Sequence, residues 1–166
     1  MKSLYLLVIT LSLNAFDVFS QNVKVEAFTL HSSKEPVTLY GDASLTEKSI
    51  DIYPNVHEGM AGGIVYIDAE LDSCLRVVLE PAGWFFVEKG VLAVNTRNYD
   101  NTPFFLYEYP AGTAPVVARI QDQQTVRIFG IKNGWLFVEA QADCGSYIQG
   151  WLPPELQCGS PYTTCN

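Results

Sequence analysis

The chain has few basic residues, and no basic run interrupts it. Its 166 residues include 10 Lys and Arg against 18 Asp and Glu, which gives a formal net charge of −8. Such an acidic surface repels phosphate groups, so nucleic acids and anionic membranes are disfavoured as partners. Extended helical patterns are also scarce. The plentiful Tyr, Phe and Trp and the frequent Val and Ile are typical of β-structure instead.

The apolar run near the N-terminus is too short to span a membrane. It covers residues 4–13 and follows Lys2, whereas a spanning helix needs about 20 apolar residues. This order is typical of a secretory signal peptide with cleavage between Ser20 and Gln21. We therefore expect residues 1–20 to be removed, and the mature protein to be periplasmic or extracellular, with no membrane insertion.

The chain also lacks a Cys-x-x-Cys pair, and neither His lies near a Cys, so a zinc site is disfavoured. In an exported chain an even number of cysteines suggests disulfides. Four thiols allow three pairings, and the sequence does not choose among them. Three of the four lie in the last 23 residues, so we expect at least one disulfide to hold the C-terminal tail, residues 158–166. The four are Cys74, Cys144, Cys158 and Cys165.

No residue set typical of an active site is found. His31 and His57 lie in the irregular N-terminal half, without a pattern that orients either towards a nucleophile. Asp68, Glu70 and Asp72 would share one face of a strand, and Ca²⁺ could in principle use them. The Gly that an EF-hand loop requires is absent, so a solvated acidic turn is the favoured interpretation. We expect no enzyme, no cofactor and no metal; a hydrolase that uses these carboxylates is the weaker hypothesis.

An internal repeat organises the rest of the chain. Residues 65–88 align without a gap with residues 116–139, at an offset of 51 and with seven identities in 24 positions. Five of the identities form the pattern Gly-Trp-x-Phe-Val-Glu, at residues 83–88 and 134–139. Upstream, Leu-Tyr at 39–40 parallels 106–107. Downstream, the Gly-x-Leu at 90–92 parallels 150–152.

Each copy consists of short strands separated by turns. Asn133-Gly134 between two apolar runs predicts a hairpin, because both residues tolerate positive φ. Pro81-Ala82-Gly83 takes its place in the first copy. Short strands at this spacing predict a small barrel or sandwich.

The second copy resembles a bacterial SH3-type domain over residues 103–157. The resemblance rests on Leu106-Tyr107, Pro110, the Val-rich run Val116 to Ile120, Asn133-Gly134-Trp135, Val138, and the closing Gly150-Trp151-Leu152. It implies an all-β protein of two tandem SH3-like small β-barrels packed together, joined by a short linker.

The first copy departs from this pattern. It has 24 residues between Tyr40 and Val65, where the second copy has eight, and its closing strand lacks the Trp. Either the extra stretch is a long loop, or residues 50–53 form the first strand and residues 22–46 an added arm. We interpret residues 21–97 as a degenerate SH3-like domain.

Strand alternation places the aromatic residues outside the core. Leu136 and Val138 can fill a barrel, so Trp135 and Phe137 face the other way, and the first copy repeats this with Trp84. A solvated face should be polar, so something is expected to cover these rings. The other copy or the N-terminal arm is the favoured cover for Trp84 and Trp135, and a ligand groove is the alternative.

The resemblance implies a function, because SH3-like domains bind peptides or cell-wall glycopeptides over aromatic surfaces. We expect a non-catalytic exported binding module that recognises peptidoglycan or a peptide. The alternative is a protein-interaction role, such as an inhibitor or immunity protein against an exported toxin, in which the loop at residues 41–63 plugs a cleft. The candidate ligand-binding residues are Tyr107, Tyr109, Trp151, Trp135, Tyr40 and Trp84.

Overall fold

The structure is a computed structural model, and it describes residues 23–30, 35–53, 61–98 and 102–160. These ranges fold into 13 antiparallel strands and one 3-10 helix, so the predicted all-β class is confirmed. The strands are β1 (Val25–Leu30), β2 (Val37–Tyr40), β3 (Lys48–Ile52), β4 (Ala61–Glu70), β5 (Cys74–Leu79), β6 (Gly83–Glu88), β7 (Leu92–Thr96), β8 (Phe104–Tyr107), β9 (Val116–Ile120), β10 (Thr125–Lys132), β11 (Trp135–Gln141), β12 (Tyr147–Leu152) and β13 (Gln157–Cys158), with the 3-10 helix at Pro154–Leu156.

Several predictions made on the sequence lie outside these ranges. They concern the signal peptide at residues 1–20, both histidines and Cys165. Within the ranges, no helix has the length and apolar character needed to cross a membrane.

All 13 strands belong to one hydrogen-bonded sheet. The strand order is β3-β2-β6-β5-β4-β1-β7-β10-β11-β12-β8-β9, and β13 also pairs with β7. β7 joins the two halves of the chain, because it pairs with β1 on one side and with β10 on the other. Over the part of the chain that is described, the pairing ends at β3 and at β9. Closure of either half into a barrel therefore stays a prediction.

The same six-strand pairing occurs twice. The order from β3 to β1 is reproduced from β9 to β7 when β1–β6 (unit 1) are matched with β7–β12 (unit 2). Matched ladders also carry matched β-bulges. The bulges lie at Leu39/Tyr40 and Leu106/Tyr107 in the first hairpins, and at Ile67/Ala69 and Ile128/Gly130 in the second. Unit 1 therefore has the full strand set of unit 2.

The structural repeat differs from the repeat at an offset of 51 residues. That alignment matched β6 with β11, whereas the pairing matches β6 with β12. Phe86 of β6 lies opposite Tyr40, as Trp151 of β12 lies opposite Tyr107. The counterpart of Trp151 is therefore Phe86 and not Val91, and the 51-residue alignment is wrong by one strand.

A shared local role explains why Gly-Trp-x-Phe-Val-Glu recurs in strands that are not equivalent. Both strands follow a tight turn with a glycine at positive φ, 108° at Gly83 and 81° at Gly134. Both then alternate a partly or fully exposed aromatic position with a buried position. The pattern marks a strand that follows a turn, and pairing with distant strands decides its place in the sheet.

Part of the extra stretch of the first copy forms a strand. Residues 48–52 form β3, which pairs with β2, so a strand in this region is confirmed and a continuous loop over residues 41–63 is wrong. The added N-terminal arm is also wrong. β1 lies inside the sheet between β4 and β7, with Ala27 and Phe28 buried.

One apolar core runs through both units. The alternation predicted in β11 is confirmed: Leu136 and Val138 are buried, whereas Trp135 and Phe137 are partly exposed. The largest fully buried side chains are Phe104, Leu39, Ile67, Leu75, Leu92, Leu106, Ile120, Ile128, Leu136, Leu152, Val65 and Val77.

Polar contacts add to the β7–β10 ladder in joining the units. The Glu70 carboxylate at the end of β4 accepts the Ile131 amide N–H at 3.0 Å and the Lys89 ammonium at 2.7 Å. The Gly90 amide donates to the Ile128 carbonyl at 2.7 Å. The units therefore meet along the sheet and leave the outer faces of β6, β11 and β12 for other contacts.

Candidate ligand-binding surface

Four partly exposed aromatic rings lie together on the outer face of unit 2. Trp151 on β12 lies opposite Phe137 on β11 and opposite Tyr107 on β8. The Phe137 and Trp151 ring centroids are 5.4 Å apart and tilted by 49°. Those of Tyr107 and Trp135 are 5.6 Å apart at 87°, an edge-to-face contact. Such pairs add about 0.5–1.5 kcal/mol each beyond burial, so the rings hold one another in place. We call these four residues the aromatic cluster.

Close strand packing brings Tyr107 to the cluster. A Cβ at Gly150 would lie 2.7 Å from Val117 Cγ2 and 2.8 Å from Leu106 Cβ. Any side chain there would push β8 and β9 away from β12. The glycine therefore lets β8 approach β12, where Tyr107 pairs with Trp151.

The structure brings together three of the six predicted ligand-binding residues, Tyr107, Trp135 and Trp151. Phe137 is a fourth member; strand alternation predicts its ring on this face, but no sequence pattern marks it as a ligand-binding residue. Tyr109 is 48% exposed just beyond β8. Tyr40 and Trp84 lie in unit 1 and form a separate surface.

Trp84 is open to solvent. Its residue is 68% exposed, so the prediction that the other copy or an N-terminal arm covers it is wrong. The physical reason is that the units join along β7 and β10, away from the outer face of β6. Trp135 is partly exposed and packs on Tyr107 of its own unit, so it contributes to the cluster.

A charged pair supports Trp84. The Arg76 guanidinium carbon lies 5.5 Å from the centroid of the Trp84 ring, within cation–π range. Arg76 Nε and Nη2 donate to the two carboxylate oxygens of Asp68 at 2.8 and 3.2 Å. The Asp68 side chain is only 6% exposed. This two-point contact fixes the guanidinium and, through it, the position of the indole.

The three spaced acids do not act together. Asp68 and Glu70 lie in β4 rather than in an acidic turn, and the bulge beside Asp68 breaks the alternation that would give them one face. Asp68 binds Arg76, Glu70 binds Lys89, and Asp72 is exposed in the following turn. No group of three or more His, Cys, Asp or Glu side chains within the described ranges is placed to hold a metal ion.

Asp42 braces the turn between β2 and β3. Its carboxylate accepts hydrogen bonds from the Ser44 hydroxyl, from the Thr46 hydroxyl at 2.8 Å, and from the amides of Thr46 and Glu47 at 3.0 and 2.7 Å. These donors, the Ser44 hydroxyl first, hold the pKa of Asp42 well below its usual range. The turn is therefore built around an ionised carboxylate.

The cysteines follow a different pattern from the one expected. Cys74 is a buried free thiol and Cys144 an exposed one. Any pairing of all four cysteines is therefore wrong, because these two lie apart, on β5 of unit 1 and in the β11–β12 turn of unit 2. A disulfide at Cys158 that holds the tail stays a prediction. The Ser146 hydroxyl, 3.0 Å from the Cys144 sulfur, lowers the pKa of that thiol.

Two cavities lie away from the aromatic cluster. A cavity of about 360 Å³ lies at the far end of β11 and is lined by polar residues that include Asp122, Gln124 and Asp143. Another of about 280 Å³ is lined by Lys24, Glu26 and other residues near the Asn133-Gly134 turn. Neither includes a ring of the cluster. The four residues of the cluster are partly exposed on the outer face of the sheet, so the cluster suits a ligand that lies along the surface, as a polymer does.

Comparison with known proteins gives only a distant likeness. No family model and no curated protein matches the chain. Among solved structures it is similar to NlpC1 from Trichomonas vaginalis at 14% identity, covering 83% of this chain and 46% of that one, with a TM-score of 0.35. It is similar to NlpC2 from the same organism at 13% identity, covering 81% and 48%, with a TM-score of 0.33. The chain thus spans less than half the length of either protein, and a likeness at this level carries no argument about function.

Proposed function

We propose that this protein is a non-catalytic exported binding protein that recognises a cell-wall glycopeptide through the aromatic cluster of unit 2. The observation that carries the proposal is the cluster itself: four rings on three paired strands, partly exposed and held by ring contacts. Export is taken from the predicted signal peptide at residues 1–20. The SH3-like resemblance of residues 103–157 supports this ligand class.

The surroundings of the cluster supply hydrogen-bonding groups. Glu139 on β11 lies opposite Gln149 on β12, and each is two residues from a cluster residue along its strand. Arg127 on β10 lies opposite Glu139. Aromatic rings beside a few polar groups are a common composition for recognition surfaces. Because the rings lie on strands that are hydrogen-bonded on both sides, ligand binding needs little ordering of the protein.

Co-sedimentation with purified cell-wall sacculi tests the proposal. We expect Trp151→Ala to lower the affinity about tenfold or more, because it removes the central ring of the cluster. Tyr107→Ala should lower it as well, because it removes the contact with Trp135.

Tyr147→Ala is the matched control. Tyr147 lies on the same strand and the same face, is 71% exposed, and lies outside the cluster, so its loss should leave retention unchanged. Full retention of a Trp151→Ala protein that unfolds at the wild-type temperature would refute the proposal.

A further inference from the structure

The matched registers of the two units allow their outer faces to be compared position by position. The row across β10, β11, β12 and β8 in unit 2 contains Gly130, Phe137, Trp151 and Tyr107. The same row in unit 1 contains Ala69, Arg76, Phe86 and Tyr40. An arginine therefore stands in unit 1 where the aromatic cluster has Phe137.

The neighbouring row is changed in the opposite sense. Unit 2 places Arg127, Glu139 and Gln149 there, whereas unit 1 places Tyr66, Val78 and Trp84. Unit 1 thus replaces one ring of the cluster row with Arg76, and it has aromatic and apolar residues in the row where unit 2 is polar. The two faces thus share a backbone and differ in the side chains that surround their rings.

We propose that unit 1 carries a second ligand site, centred on Trp84, which binds a neutral sugar unit of a glycan. The site goes beyond the function proposed for unit 2, because none of its residues belongs to the aromatic cluster.

The charge around Trp84 favours a neutral ligand. Asp68 neutralises Arg76 through two hydrogen bonds. Exposed Lys24 also forms an ion pair, with its Nζ 3.9 Å from Glu80 Oε1. An anionic group would gain little from a guanidinium that is already paired, and Glu88 on the same strand adds a negative charge. Because Asp68 takes two of the five guanidinium N–H donors, Arg76 can still donate to hydroxyl or carbonyl oxygens.

The shape around Trp84 favours a flat ring with an apolar face. The indole lies opposite Val78, which is 7% exposed, so one side of it rests on the sheet. The residue is 68% exposed, so a ligand can approach the indole from solvent. A pyranose ring presents C–H groups on its face and hydroxyls at its rim. It can therefore stack on the face of the indole that Arg76 leaves open.

Calorimetric titration of the full-length mature protein with chitotetraose, a neutral glycan without peptide, tests the site. We expect Trp84→Ala to weaken binding about tenfold. Trp84→Phe should retain part of the affinity, because it keeps a flat ring. Tyr147→Ala, which removes an equally exposed ring elsewhere, should bind as wild type does.

Arg76 positions the Trp84 indole, and this role can be tested separately from ligand binding. Arg76→Lys keeps the charge but cannot bind Asp68 at two points or stack as a plane. It should weaken chitotetraose binding and move the Trp84 indole N–H signal in the NMR spectrum of the free protein. An unchanged signal and unchanged affinity would refute the positioning role.

The outcomes for the two units are separable. Equal chitotetraose affinity of wild type and folded Trp84→Ala overturns the Trp84 site, and so does a shift of the Trp84 signal with a free stem peptide but not with chitotetraose. Neither result bears on the function proposed for the aromatic cluster. Loss of sacculus retention in Trp151→Ala with intact chitotetraose binding supports both proposals. Full retention in that variant refutes only the function proposed for unit 2.

Discussion

Single side chains set the chemistry of each outer face. Phe137 and Arg76 occupy matched positions in the two units. Phe137 packs against Trp151, whereas Arg76 makes a cation–π contact with the indole of Trp84. Strand alternation predicts Phe137 and Trp84 outside the core, and that part is confirmed. It could not show which rings meet, because contact depends on neighbouring strands that are far away in sequence.

Asp42 gives a pH-dependent prediction at the residue scale. Its folded-state pKa lies below the unfolded value of about 3.9. The stability it contributes is therefore fully present above that unfolded value and is lost as the pH falls through the folded-state pKa. We expect Asp42→Asn to be less stable than wild type near neutral pH, and the difference to shrink below about pH 4. Urea unfolding of both proteins between neutral and acid pH measures it.

Asp72→Asn controls for the loss of one carboxylate, because Asp72 is exposed in a neighbouring turn. The wild type should show no comparable pH-dependent advantage over this variant. A stability difference between wild type and Asp42→Asn that is constant with pH would contradict an ionised brace in the turn.

Individual strands and turns are the part of the fold that the sequence predicts best. The Asn133-Gly134 hairpin is confirmed, with φ of 51° and 81° at its two residues. The strand in the 48–52 region was foreseen as one of two alternatives. The other part of that alternative, an arm over residues 22–46, is wrong, because nothing local in residues 25–30 indicates that two distant strands will enclose them. The 51-residue alignment matches β6 with β11 instead of β12 for a similar reason. Sequence identity reflects local turn and strand patterns, whereas strand pairing depends on residues far apart in sequence.

The segment after β13 gives a prediction at the element scale. A Cβ at Gly159 would overlap the backbone carbonyl of Glu26 in β1. Backbone in the middle of a sheet cannot move aside as a flexible side chain can, so we expect Gly159→Ala to lower the free energy of unfolding by about 1–3 kcal/mol. Denaturant unfolding measures this.

Gly112→Ala is the matched control, because a Cβ there would meet nothing within 4 Å. It should change stability by no more than about 0.5 kcal/mol. Equal stability of the Gly159→Ala and Gly112→Ala proteins would show that the C-terminal segment does not pack on β1.

At the scale of the whole molecule, one sheet holds two surfaces with different chemistry. β7 belongs to the pairing of both units and Glu70 bonds across them, so the surfaces are carried on one continuous framework. Composition and the repeat predicted the all-β class and the duplication. The separation of Tyr40 and Trp84 from the cluster follows from the predicted division into two copies, whereas the matching of β6 with β12 could not be predicted, because it depends on pairing between distant strands.

The central claim is that the aromatic cluster of unit 2 binds the cell-wall ligand. The most direct measurement follows the indole N–H signals of the three tryptophans by NMR while soluble peptidoglycan fragments are added. The signals of Trp135 and Trp151 are predicted to move together and to saturate, and Trp151→Ala should abolish the movement of Trp135. If neither signal moves at fragment concentrations that saturate the protein, or if only Trp84 responds, the cluster is not the binding surface.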